Sequence, residues 1–189
     1  RDLLGDLAPK VLDLAQPAVE LERAVRALRE GRIPELDADA RRHTEVELHL
    51  PALIPDDYLG DVHTRLMLYK RIASAPDDEG LDRLTEEMVD RFGVLPPQTA
   101  NLFQVARLRL RAAALGIRKL ELGALGGRVL FFPNPPVDAL VVIRMVQKLP
   151  KVYALDGPDK LKVRLELPGA AERLRTAGDI LRVLGGQSG

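Results

Sequence analysis

Asp56, Asp57, Asp61 and His63 come nearest, by type and spacing, to a metal site, because carboxylates and an imidazole close in sequence can converge on a divalent ion. Their spacing matches no defined ligand motif, and each has a simpler role. Asp56 and Asp57 follow Pro55 in a turn, and Asp61 precedes a helix whose free amides its carboxylate can cap. No metal is expected. The chain has no Gly-x-x-x-x-Gly-Lys-Ser/Thr loop for phosphates, no Gly-x-Gly-x-x-Gly and no Gly-x-Ser-x-Gly elbow. Ser74 and Ser188 are the only serines, no histidine neighbours either in sequence, and cysteine is absent. Neither a nucleophile nor thiolate chemistry is nominated, so the chain reads as non-catalytic and without a cofactor.

Basic residues gather at Arg107, Arg109, Arg111, Arg118 and Lys119. A nucleic-acid surface needs such residues on one face with aromatic neighbours for stacking. Arg107 and Arg111 share a helical face but Arg109 points away, the aromatic nearby is Phe103, and the chain has no Trp. Lys+Arg and Asp+Glu are both 28, so no whole-chain field draws the chain to nucleic acid or anionic lipid. Strong nucleic-acid binding is not expected, although a nucleic-acid-binding accessory domain is the alternative function class.

The segment from Asp78 to Phe92 carries more information. Leu81, Leu84, Met88, Val89 and Phe92 form one apolar stripe, and Arg83, Glu86, Glu87 and Asp90 lie opposite with Arg91 at the border. Intrahelical pairing of Arg83 with Glu87 and of Glu87 with Arg91 explains such a face as support for the helix. A docking surface, whose acidic groups meet arginines of a partner, is the other reading. On pattern alone intrahelical support is favoured over it, since most charged helix faces are merely solvated.

The elements that must position these residues follow from periodicity. Residues 10–31 read as a helical arm interrupted at Pro17 and stopped at Gly31, and residues 32–43 as an exposed linker. Val46, Leu48 and Leu50 alternate with Glu45, Glu47 and His49, a half-buried strand over 44–50. Val62, Leu66, Tyr69, Ile72 and Ala73 predict a buried helix face. Asp77 or Asp78 caps the next helix and Gly93 ends it. A third helix runs from about Pro97 to Leu115. Residues 118–122 and 128–132 flank a glycine-rich turn as a hairpin, followed by a helix over 137–149, strands over 152–155 and 161–167, and a last helix over 170–184. The fold class is α+β, several helices on a small, largely antiparallel sheet with an N-terminal helical arm. The organisation expected is arm and linker 1–43, domain 44–184 and tail 185–189. No apolar run is long enough to span a membrane, the first residues lack a signal-peptide pattern, and a cytoplasmic location is expected.

Thr44-Glu-Val-Glu-Leu, Leu53-Ile-Pro-Asp-Asp-Tyr58, Arg65-Leu-Met-Leu-Tyr-Lys-Arg-Ile-Ala73, Asp90-Arg-Phe-Gly-Val-Leu-Pro96 and Leu115-Gly-Ile-Arg-Lys-Leu120 together resemble the C-terminal domain of the bacterial transcription-repair coupling factor, Mfd. The resemblance covers about residues 20–184. The opening Asp2-Leu-Leu-Gly5 is similar to the end of that family's translocation motif, but residues 6–19 depart from the pattern, so no motor function carries over. The resemblance implies a parent that is an ATP-dependent DNA translocase, displaces stalled RNA polymerase and recruits the excision-repair protein UvrA. It implies that this domain folds back on the N-terminal UvrA-binding module of the same polypeptide and masks it. The family's Glu-x-x-Asp-Arg pattern before Phe-Gly falls on Glu87, Asp90 and Arg91, which are the partner-binding residues the resemblance implies.

Overall fold

The structure is a computed structural model, and it describes residues 43–187; the predicted arm, most of the linker and the last two residues of the tail lie outside them. The described residues hold five helices and five strands, the α+β class expected. They divide into two compact units, one of Pro51–Arg107 and one of Thr44–Leu50 with the chain from Leu108 onward.

The first unit is helical. Helix α1 spans Val62–Ala73 and α2 spans Asp78–Phe92; α3, Pro97–Ala114, starts in this unit. The caps are those the sequence encodes. The Asp61 side chain accepts the Thr64 amide, the Asp77 side chain accepts the Gly80 amide, and Gly93 closes α2 at φ +91°, a conformation that costs a side-chain-bearing residue more than glycine. Leu81, Leu84 and Met88 of α2 are buried with Leu68, Tyr69 and Ile72 of α1. The loop before α1 is tied in by Tyr69, whose hydroxyl oxygen accepts the Ile54 amide at 2.7 Å, and by Thr99, which donates to the Leu53 carbonyl at 2.9 Å.

Two assignments in this unit shift. The buried face of α1 is Arg65, Leu68, Tyr69, Ile72 and Ala73, whereas Val62 and Leu66 are exposed. Leu66, Met67 and Leu68 are consecutive apolar residues, so spacing alone left the helix phase open by one position, and packing selects Leu68. On α2 the stripe narrows: Val89 is exposed and Phe92 only half-buried.

The second unit is a five-stranded sheet with order β1-β2-β3-β5-β4, built from β1 Glu45–Glu47, β2 Ile117–Gly123, β3 Gly126–Phe131, β4 Tyr153–Leu155 and β5 Lys160–Val163. All pairings are antiparallel except β1 with β2. The hairpin turn is tighter than the predicted glycine-rich loop, because pairing continues to Gly123 opposite Gly126. A Cβ at Gly127 would sit 1.9 Å from the Glu121 carbonyl oxygen, so no side chain fits there. The remaining strands are shorter than their alternation suggested: β5 stops at Val163 and the Leu167 amide bonds instead to the Ala124 carbonyl at 2.8 Å. Helix α4, Ala139–Lys148, packs on β4, and α5, Ala170–Leu184, packs on β2. Ile117, Leu120, Leu122, Val129, Leu161, Ile180 and Leu181 are buried core residues of this unit.

Candidate functional site

Burial of Leu81, Leu84 and Met88 fixes which way α2 faces, and the opposite face is then forced outward. Glu86, Asp90 and Arg91 are exposed there and Glu87 is part-buried at the border. All three residues implied by the resemblance, Glu87, Asp90 and Arg91, therefore lie within one helical turn of the solvent side of α2.

Their electrostatics differ sharply. Glu87 accepts from Arg71 of α1 through both oxygens, Nη1 to Oε1 at 2.7 Å and Nη2 to Oε2 at 2.5 Å, and from Arg91 Nη1 at 3.0 Å. These contacts, the Arg71 hydrogen bond first and against the opposing pull of desolvation, lower its pKa from 4.5 to about 2. Arg91 also stacks its guanidinium 4.8 Å from the centre of the Phe92 ring, which in turn meets Tyr58 edge-on. Asp90 makes no ion pair with any described residue. Arg83 pairs with Glu79 at 2.7 Å rather than with Glu87, so one of the two intrahelical pairs read from the sequence forms and the other does not. Arg71 is the residue the sequence did not nominate: no periodicity within a single helix reports a pair formed across two.

Asp56, Asp57, Asp61 and His63, weighed and set aside as a metal site, do not form a ligand group among the described residues. Asp61 is occupied at the start of α1, where the backbone amide and the hydroxyl of Thr64 both bond to its carboxylate and lower its pKa. Among the described residues the group with metal-ligand spacing is instead Glu47, His49 and Glu121 in the sheet unit. Those carboxylates already hold cations: Lys119 lies 3.2 Å from Glu47, Arg128 3.2 Å from Glu121, and His49 stands between them. Two of the basic residues weighed for nucleic acid are similarly engaged. Arg107 bonds to Asp82 at 2.5 Å, and Lys119 lies between Glu45 and Glu47.

Comparison with known proteins follows the same lines. The TRCF domain model matches residues 48–141. The transcription-repair-coupling factors of Haemophilus influenzae and Escherichia coli are 43% and 44% identical to this chain over 164 residues, 87% of it. That of Myxococcus xanthus is 35% identical over 144 residues, 76% of the chain. The chain spans only 14%, 14% and 12% of the length of these relatives. Its fold is similar to the crystal structure of the C-terminal domain of a transcription-repair coupling factor, with a TM-score of 0.61 and 20% sequence identity, over 79% of this chain and 99% of that one. No helix among the described residues is long and apolar enough to cross a membrane.

Proposed function

The chain belongs to the transcription-repair coupling factor family, corresponding to its C-terminal domain, and from that premise we propose that it is a non-catalytic, autoinhibitory protein-interaction domain. It docks through the outer face of α2 on the N-terminal UvrA-binding module of its own parent polypeptide and keeps UvrA from that surface. The parent acts in the cytoplasm as an ATP-dependent DNA translocase on stalled RNA polymerase. One observation carries the reading: Asp90 is a carboxylate exposed on a helix anchored by buried Leu81, Leu84 and Met88, beside Arg91 and Glu87, with no counter-ion among the described residues. Side chains in this state suit a partner that supplies the missing charge, since complementary pairs set register and specificity at an interface.

The test is direct. This chain, titrated with the N-terminal module, should bind, and Glu87→Ala with Asp90→Ala should weaken binding by roughly 2–5 kcal/mol, the usual cost of truncating a desolvated interfacial charge. In the parent, the same pair should raise UvrA binding although the UvrA-binding surface is untouched. A double variant that folds normally and leaves both affinities at the wild-type level removes the assignment.

A further inference from the structure

Glu87 is not an open carboxylate waiting for a partner. The planar fork of Arg71 meets both of its oxygens, the bidentate arrangement a guanidinium from another protein would adopt on the same group. Arg91 holds a further position on Oε1. A carboxylate offers about four lone-pair sites, so three accepted bonds leave little room for a second fork. The cluster of Arg71, Glu87 and Arg91 carries a formal charge of +1, which opposes an approaching cation, whereas Asp90, one helical turn away, attracts one. Arg71 itself lies in the last turn of α1, where a cation is favoured by the helix dipole whether or not Glu87 is present.

We infer that Arg71 is an intramolecular occupant of the position on Glu87 that a guanidinium of the docking partner takes, so that docking exchanges one arginine for another and Arg71 sets its strength. The inference rests on the docking reading above. Asp90 then provides the attraction that brings the partner cation in, and Glu87 receives it only as Arg71 withdraws. Because Glu87 stays ionised at any pH near neutrality, the competition is between two cations rather than between a cation and a proton. A site built this way is weaker than its charges suggest and is readily reversed, which suits a clamp that must open.

The experiment is a titration of the chain with the N-terminal UvrA-binding module at near-physiological salt, using wild type, Arg71→Met, Arg71→Lys, Asp90→Ala, and Arg71→Met in a Glu87→Gln background. Methionine keeps an unbranched stem and removes the charge. Arg71→Met should tighten docking by about two- to fivefold, the scale of one partly exposed ion pair. Arg71→Lys should give a smaller gain, because an ammonium cannot fork; it also replaces Arg71→Met should the latter not fold. The gain should vanish in the Glu87→Gln background, an interaction that a merely structural role for Arg71 would not produce. Binding that depends on Asp90 but is unchanged or weakened by Arg71→Met overturns this inference alone. No binding by wild type, or binding indifferent to Asp90→Ala, overturns the docking reading and this inference with it.

Discussion

The outer face of α2 and the exposed face of the sheet are both dense in charge, yet they are organised differently. Across four strands of the sheet, Glu47, Glu121, Arg128 and Lys162 stand in register, two acidic neighbours followed by two basic ones. Like charges opposite one another destabilise a sheet, and here the acidic pair is compensated locally: Lys119 serves Glu45 and Glu47, while Arg128 serves Glu121, which also meets the His49 ring. On α2, by contrast, Glu87 is bound twice over and Asp90 one turn away is bound by nothing described. A dense charge pattern is therefore no sign of a binding surface by itself. What separates the two faces is whether the carboxylates are already matched within their own unit.

The largest effect expected comes from beneath the α2 face rather than on it. Leu84 is 4% exposed in the helical core, and Leu84→Ala should lower the unfolding free energy by about 2–5 kcal/mol, through lost burial and the cavity left behind. Urea denaturation followed by circular dichroism measures it. A loss below about 1 kcal/mol would mean that α2 is not anchored as described, and the distinction between its two faces would fall with it.

Next in size is the pH dependence of the Glu87 cluster. A carboxylate whose folded pKa is depressed from 4.5 to about 2 adds stability that is fully present above pH 4.5 and is lost as pH falls through about 2. Its side chain is one-third exposed, so solvent screening keeps the contribution near that of surface pairs, about 1 kcal/mol in all. The difference in unfolding free energy between wild type and Glu87→Gln should be constant from pH 8 to about 5 and shrink on further acidification. A difference that instead grows toward low pH would show that Arg71 and Arg91 do not hold the ionised form.

How much of this was legible beforehand depends on the range of each interaction. The ends of α2 were readable because Asp77 and Gly93 act within a turn of their own position. The α+β class followed from stretches of different period. The phase of α1 was not readable, since three consecutive apolar residues allow more than one buried face and only packing chooses. Nor was the pairing of Arg71 with Glu87, sixteen residues apart on two helices, although Glu87–Arg91 was, being four apart on one. The same limit explains the metal candidates. Asp56, Asp57, Asp61 and His63 are near in sequence, but Glu47, His49 and Glu121 are the ones near in space, because β1 pairs with a strand more than seventy residues away.

The smallest expected change in stability is also the sharpest probe of the comparison. Glu121→Gln removes a carboxylate that lies within reach of His49 and Arg128, and whose pKa, raised by burial, is lowered overall by the His49 hydrogen bond and the charges of Lys119 and Arg128. It should cost about 0.5–1 kcal/mol, less at high salt. Asp90→Asn removes a carboxylate that neutralises nothing described, and it does so in the last turn of α2, where the partial negative charge of the helix end disfavours an anion by roughly 0.3–1 kcal/mol. Asp90→Asn should therefore be neutral or raise the urea midpoint slightly while weakening docking. A residue that costs the fold something and matters to binding has the signature of a group retained for recognition. If Asp90→Asn instead lowers the unfolding free energy by more than about 0.5 kcal/mol, Asp90 has a structural partner after all, and the α2 face belongs with the sheet face as a matched, self-contained surface.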